Sequence, residues 1–235
     1  MILSIDTSTP ICSVALHQTN GELLGVSELH IDKSHSASLA VLVDELVRNT
    51  GTTLQDLKAV AVSMGPGSYT GLRIGTATAK GYCYTLDIPM IAVSTLAAMA
   101  QNVKRFVMEG KALICPMLDA RRMEVYTAFY NKDLEMVKEV HPKVIDETSF
   151  QEELADSPIY FFGNGAPKSV EVIQHENVRF VDGIYPSAKY IGELACQKFE
   201  KEEFVDVAYF EPFYLKEFRM SPSKKNPLGL NKKKA

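Results

Sequence analysis

Two aspartates occupy equivalent positions in the two halves of the sequence, and both could take part in phosphate binding. Asp6 ends the apolar segment 2–5, and Asp119 ends the apolar segment 112–118. A turn follows each acid, and turn N–H groups beside a carboxylate can hold a nucleotide phosphate, the carboxylate usually through a metal ion. The alternative is that each aspartate caps its own turn by bonding to its own backbone. The symmetry of the two positions favours a cleft between two halves.

The remaining signals for a nucleotide site are incomplete. The turn after Asp6 carries Ser8 and contains no glycine, so its backbone cannot approach a phosphate closely. On the adenosine side the sequence offers only a short Gly-Asn-Gly run at 163–165. We therefore expect weak ATP or ADP binding at most, and no cofactor that the chain requires. The residues of this degenerate nucleotide cleft are Asp6, Ser8, Asp119, Gly163 and Gly165.

No other motif predicts catalysis or metal binding. The glycine-rich loop 65–71 follows an apolar segment, but it has neither the Walker A order nor the dinucleotide spacing. The five histidines include no i,i+4 pair and no His-Glu-x-x-His motif. The four cysteines are far apart in apolar segments, which is typical of buried free thiols. We expect no catalytic residue and no metal ligand in this chain.

Hydrophobic periodicity predicts the same order of elements in both halves. The predicted strands are 2–5, 11–17, 23–29, 57–64 and 88–93, then 112–118, 123–130, 134–140, 158–162 and 178–181. The predicted helices are 35–48, 69–84 and 94–103, then 148–155, 163–175 and 187–200. Strands joined by tight turns should be antiparallel, and strands separated by helices should be parallel. The fold class is therefore α/β, with a mixed five-stranded sheet and helices made twice, as in the duplicated actin-like (ribonuclease H-like) fold.

This duplication divides the chain into two lobes and a tail. The first lobe is predicted over 1–104, joined by part of the C-terminal region at about 187–215, and the second, smaller lobe over 105–186. The run around Glu211 and Tyr214 is expected to return to the first lobe. The last segment, 221–235, holds five lysines and no acid, so it is predicted to be a flexible tail. Contact with an RNA backbone is one role for it, and plain solubility is the other.

Bulk properties limit the class of function. The chain has 235 residues, of which 46% are hydrophobic and 23% charged, as in an ordinary globular protein. Its net charge of −4 is unlike that of a protein that holds RNA by itself. We see no basic leader and no apolar stretch of roughly 20 residues, so we expect a cytoplasmic protein with no membrane contact.

A family resemblance is carried by the runs at 6–9 and 13–16, the helix from 35–36 to 44–46, and the runs at 65–81 and 119–126. The first run begins with Asp6, the run at 65–81 is the long glycine-rich segment, and the last contains Arg121 and Arg122. Together they closely resemble the bacterial TsaB (YeaZ) family. The resemblance implies two actin-like lobes and a non-catalytic role beside a related catalytic subunit, TsaD, which transfers a threonylcarbamoyl group to the adenosine next to the anticodon of tRNA. It also implies a small ATPase, TsaE, in a larger complex, with tRNA held mainly through the complex.

The resemblance implies a scaffold that forms a heterodimer with the TsaD-type subunit and a homodimer when alone. We expect the helices that begin near 35 and 69 to form the contact, because the second presents small residues that permit close packing. The same face would equally suit packing against the chain's own sheet. If this face contacts the partner, Gly75→Glu should abolish pairing and leave the fold intact. The expected interface residues are His35, Leu39, Leu42, Tyr69, Leu72, Arg73, Gly75, Thr76 and Ala79.

Two other functions remain open from the residues alone. One is an actin-like small-molecule kinase or ATP-binding protein, which would bind ATP as an isolated chain. The other is a module that recognises tRNA directly through the lysine-rich tail 221–235, which would show salt-sensitive binding lost on deletion of the tail.

Overall fold

The computed structural model describes residues 1–31 and 35–215, and it contains two five-stranded sheets. The predicted tail at 221–235 lies outside the described residues. In the first sheet the strand order is β3-β2-β1-β4-β5, with β1–β3 antiparallel and β4 and β5 parallel to β1. Its strands are β1 Ile2–Asp6, β2 Cys12–His17, β3 Leu23–Leu29, β4 Ala59–Gly65 and β5 Met90–Ser94.

The second sheet repeats this arrangement. Its order is β10-β9-β6-β7-β8, with β6–β8 antiparallel and β9 and β10 parallel to β6. Its strands are β6 Leu113–Asp119, β7 Glu124–Tyr130, β8 Met136–Val144, β9 Ile159–Phe162 and β10 Val178–Val181. The two sheets therefore share one topology, which confirms the predicted duplicated actin-like fold.

Helices cover both faces of the first sheet. Helices α1 and α2 bury their apolar sides against the core on one face, whereas α3 and α5 pack on the other. Helix α5 thus returns the C-terminal region to the first sheet. The predicted lobe boundaries at 104 and 186 stay predictions. The helices are α1 His35–Asn49, α2 Tyr69–Leu86, α3 Thr95–Val103, α4 Gln151–Asp156 and α5 Ala188–Glu200.

Serine caps define where the long helices begin. The Ser68 hydroxyl accepts a hydrogen bond from the Gly71 N–H at the start of α2, and Ser94 does the same for the Ala97 N–H at the start of α3. Such caps satisfy N–H groups that have no partner inside the helix. Because Ser94 is the cap, α3 begins at Thr95, one residue after the start that the sequence predicts.

Two predictions for the second half were wrong. The expected helix at 163–175 is only a short 3₁₀ turn at Ala166–Lys168 followed by further turns. Three β-branched residues lie within 169–175, and such residues lose side-chain freedom in a helix. Strand β8 extends to Val144, beyond the predicted end at 140, because it continues to pair with β7. Its position at the sheet edge also tolerates Pro142.

A polar layer lies between the first sheet and α5. Ser4 and His17 are fully buried, and both face Gly192 of α5 so closely that a Cβ there would overlap the His17 ring. Burial lowers the pKa of His17, so the imidazole is held in its neutral form. In the described residues no helix is long and apolar enough to cross a membrane.

Candidate functional site

The carboxylate of Asp6 caps its own turn. Its Oδ1 accepts hydrogen bonds from the Ser8 N–H at 2.9 Å and from the Ser8 hydroxyl at 2.8 Å. Asp6 is only 1% exposed, and the turn residues Thr7, Ser8 and Thr9 are buried with it. Of the two roles open from the sequence, the structure therefore shows the capping role. The Ser8 N–H is already bonded, so it is not free to receive a phosphate.

The glycine-rich loop closes over this turn. The Ser68 N–H donates to the Ser8 carbonyl at 2.6 Å, and the Thr7 hydroxyl donates to the Gly71 carbonyl at 2.8 Å. A Cβ at Gly71 would overlap the Thr7 carbonyl, and one at Gly67 would overlap the Ser8 carbonyl. Glycine is needed here because two backbone segments touch. The start of α2 is thereby fixed against the end of β1.

Helix α1 closes the same turn from a second side. His35 Nε2 lies 2.8 Å from the Thr9 carbonyl and donates to it when it carries the proton. His35 is itself only 8% exposed. The first residue of α1 and the start of α2 therefore both seal the turn after Asp6.

Burial makes the carboxyl group of Asp6 costly to ionise. Desolvation raises its pKa to about 6, and the hydrogen bonds from Ser8 limit the rise. Its second oxygen, Oδ2, has no hydrogen-bond partner in the described part of the chain. Across residues 1–31 and 35–215, no three His, Cys, Asp or Glu side chains come together in a group that could hold a metal ion.

The second aspartate is neutralised by a lysine. Asp119 Oδ1 lies 2.6 Å from Lys168 Nζ and also accepts a hydrogen bond from the Arg121 N–H at 2.6 Å. Lys168 donates further to the Glu124 carbonyl at 3.0 Å, which fixes the ammonium at the base of the turn. Any cation that approached Asp119 would compete with Lys168 for the same oxygen.

The expected adenosine loop packs onto β6. Gly163 has φ +100°, and a Cβ there would overlap the Met117 carbonyl. The Gly165 N–H donates to the same carbonyl at 3.0 Å, and the Asn164 side chain accepts from the Asp119 N–H at 3.0 Å. The structure thus brings Asp6 together with Ser8, and Asp119 together with the 163–165 loop.

Most residues expected at the partner interface lie inside the chain. Their burial means that the folded chain cannot present them to a partner, so exposed neighbours on the same helices must make any contact. The expectation for Gly75→Glu also fails, because a Cβ at Gly75 would overlap Thr7 Oγ1. The buried residues are His35, Leu39, Leu42, Leu72, Gly75, Thr76 and Ala79.

Tyr69 and Arg73 lie under the C-terminal segment. The Tyr214 ring centroid is 4.9 Å from that of Tyr69, and Arg73 Nε donates to the Tyr214 hydroxyl at 3.3 Å. The Phe213 N–H donates to the Met64 carbonyl at 2.7 Å. The run around Tyr214 therefore returns to the first lobe, as the sequence predicts, and it covers the start of α2.

Sequence reasoning missed the exposed face of α1 and α2, which we call the outer stripe. Both helices bury their apolar sides in one core, so their exposed sides lie on the same side of the first sheet. Beside the charged residues Asp44, Arg48 and Arg73, this face carries a group of exposed small or apolar side chains. Val41 is 53% exposed and Tyr84 is 87% exposed. The outer stripe consists of Ala37, Ala40, Val41, Ala77, Gly81 and Tyr84.

The fold and these turns place the chain among actin-like proteins related to a transferase. The family model for TsaD, described as tRNA N6-adenosine threonylcarbamoyltransferase, matches residues 13–220. The chain is 32% identical over 227 residues to the tRNA threonylcarbamoyladenosine biosynthesis protein TsaB of Escherichia coli, covering 92% of this chain and 94% of that one. It is 34% identical to the Bacillus subtilis protein of the same name over 223 residues, 92% of this chain and 93% of that one.

Solved structures agree with these relatives. YeaZ from Pseudomonas aeruginosa superposes with a TM-score of 0.77 at 27% identity, covering 91% of this chain and 99% of that one. A Pseudomonas aeruginosa protein described as similar to the peptidase YeaZ gives a TM-score of 0.80 at 28% identity, covering 92% and 99%. The chain belongs to the TsaB (YeaZ) family.

Gly75 and Gly81 of α2 should respond oppositely to substitution by alanine. At Gly75 the added methyl group meets Thr7 Oγ1, which is held by its bond to Gly71. We expect Gly75→Ala to cost about 1–3 kcal/mol of stability, as overpacking does. At Gly81 a Cβ meets nothing within 4 Å, so Gly81→Ala should stabilise the helix by up to about 1 kcal/mol. Thermal unfolding of both variants by circular dichroism measures the difference, and a Gly75→Ala variant as stable as wild type would contradict this packing.

Asp6→Asn should stabilise the chain at neutral pH. The folded-state pKa of Asp6 is raised from 3.8 to about 6, so its stabilising contribution is full below pH 3.8 and is lost as the pH rises through 6. Asparagine keeps an oxygen for the Ser8 bonds and carries no charge. The variant should gain up to about 3 kcal/mol over wild type at pH 7.5, and less at pH 5. Urea unfolding at both pH values measures this, and a difference that does not change with pH would count against a buried charge at Asp6.

Proposed function

We propose that this chain is the non-catalytic subunit that pairs with a TsaD-type transferase in the machinery that makes threonylcarbamoyladenosine in tRNA. Its membership of the TsaB family is the observation that supports this most directly, since the relatives are named as biosynthesis proteins for that nucleoside. A TsaE-type ATPase joins the complex in this proposal, and tRNA is held mainly by the complex. We place the protein in the cytoplasm, where tRNA is modified.

The state of both turns supports a role without catalysis. The Ser8 N–H is bonded to Asp6, and the carboxylate of Asp119 is paired with Lys168. Neither turn is therefore prepared for a phosphate or for a metal ion that would bridge to one. In this proposal the chain requires no cofactor and binds ATP or ADP weakly at most. The kinase alternative gains no support from this geometry.

The outer stripe is the surface that we assign to the partner. Small residues such as Ala77 and Gly81 let a facing helix approach closely, and Val41 and Tyr84 add exposed apolar area. The TsaD family model matches residues 13–220 of this chain, so we expect the transferase to share its architecture, including an equivalent helix pair. Related chains can then pair through equivalent faces, and the same contact between two copies of this chain gives a homodimer when the partner is absent.

The segment over α2 limits where the partner can lie. Tyr214 packs on Tyr69, and Lys80 Nζ donates to the Ala208 carbonyl at 2.9 Å. Residues 206–215 therefore run along one flank of α2, and within residues 1–31 and 35–215 the outer stripe beside them is exposed. A partner helix that packs on Ala77 would have residues 206–215 on one side and α1 on the other.

A charge placed in the outer stripe should prevent pairing without unfolding the chain. Ala77 is exposed on α2, so Ala77→Glu adds no overlap inside the fold, but it buries a carboxylate in the proposed contact. We expect the one-to-one species with the TsaD-type protein to disappear in size-exclusion chromatography with light scattering. The melting temperature of the variant should stay within about 2 °C of wild type.

The matched control is Ala155→Glu on helix α4. Ala155 is also exposed, but it belongs to the second sheet's side of the chain. This variant should pair as wild type does. Pairing that survives Ala77→Glu, or that is lost equally in both variants, would remove the outer stripe as the contact.

A further inference from the structure

The turn between β6 and β7 has an unfavourable backbone. Arg121 has φ +71° and Arg122 has φ +51°, both in the left-handed region. In the described residues the other non-glycine residues with positive φ occur singly. The loop 121–123 thus holds two consecutive residues in a conformation that glycine and asparagine adopt more readily than arginine. Each such residue costs on the order of 1–3 kcal/mol unless its side chain suits the conformation.

The arginine side chains contribute nothing visible to the fold. The hydrogen bonds of the turn come from the backbone: the Ala120 N–H donates to the Glu124 carbonyl at 3.0 Å, and the Glu124 N–H to the Arg121 carbonyl at 3.1 Å. The bond to Asp119 also uses the Arg121 backbone N–H. Both side chains are exposed, and neither guanidinium has a hydrogen bond, ion pair or ring contact within residues 1–31 and 35–215.

The carboxylate next to the turn does not pair with the arginine side chains. The adjacent carboxylate, Asp119, is already paired with Lys168, which lies at the base of the same turn. Three cationic side chains, Arg121, Arg122 and Lys168, lie at this end of β6 together with two carboxylates, Asp119 and Glu124. The chain as a whole is acidic, with a net charge of −4, whereas cationic side chains outnumber carboxylates by one at this turn.

We propose that Arg121 and Arg122 contact the phosphate backbone of the RNA held by the complex, an assignment that rests on the proposed function. The guanidinium is a planar fork that bonds two phosphate oxygens at once, and it stays charged at any physiological pH. An RNA strand offers phosphates in series, which suits two adjacent arginines at the tip of a hairpin. Asparagine and glycine would fit the turn with less strain, but they lack the positive charge that pairs with a phosphate.

The test exchanges the arginines for the residues that the backbone prefers. In the double variant Arg121→Asn with Arg122→Gly, the isolated chain should melt at the same temperature as wild type or a few degrees higher. It should still pair with the TsaD-type protein. The complex should bind tRNA at least about tenfold more weakly, and the slope of log K against log salt should become shallower by about one to two.

Two controls separate charge from position. The pair Lys111→Asn with Lys201→Asn removes two exposed charges elsewhere and should leave tRNA binding within about twofold of wild type. The pair Arg121→Lys with Arg122→Lys keeps both charges without the bidentate fork, so it should keep the salt slope and recover part of the affinity.

Three results would overturn the assignment. Unchanged tRNA binding would exclude the backbone contact, and a melting temperature lowered by the Asn-Gly turn would show that the arginines serve the fold. Loss of pairing in the Asn-Gly variant alone would show that they contact the partner protein. If the wild-type chain also failed to pair, the proposed function would fail first, and this assignment would fail with it.

Discussion

The contact between the turn at 6–9 and the start of helix α2 is the constraint on which the other features depend. The Ser68 N–H bonds the Ser8 carbonyl, Thr7 bonds the Gly71 carbonyl, and glycine at 67 and 71 lets the two backbones touch. This contact buries Asp6, and with it the turn that could otherwise receive a phosphate. It also fixes the rotation of α2 about its axis, so that Gly75 faces β1 and Ala77 faces outward.

The same contact thus links the closed turn after Asp6 to the exposed face of α1 and α2. In this fold a phosphate turn must have free N–H groups, whereas here the capping carboxylate uses the Ser8 N–H. Once the turn is closed, α1 and α2 lie firmly on the first sheet and present a face of small and apolar residues. The small residues of α2 therefore serve two purposes on opposite sides of the helix: those at 71 and 75 permit packing inside, and those at 77 and 81 leave room outside.

The sequence allowed the fold to be predicted more fully than the site. Alternating and helical periodicities located every strand, and the order of elements predicted both sheets, because burial imposes these patterns. The same periodicity could not show which face of α2 is covered, since small residues recur on both sides. Asp6 was compatible with a cleft or a cap, because only the position of Ser8 decides between them. The strain at Arg121 and Arg122 was invisible, since arginine does not signal a left-handed backbone.

The central claim is that the transferase complex needs this chain but not its two closed turns. Reconstituted modification of tRNA, measured as threonylcarbamoyladenosine formed per minute, tests it with the double variant Asp6→Asn and Asp119→Asn. We predict that leaving out the chain abolishes the reaction, while the double variant supports it within about twofold of wild type. A double variant that still pairs with the TsaD-type subunit but supports less than about a tenth of the rate would contradict the claim, because the turns would then take part in the chemistry.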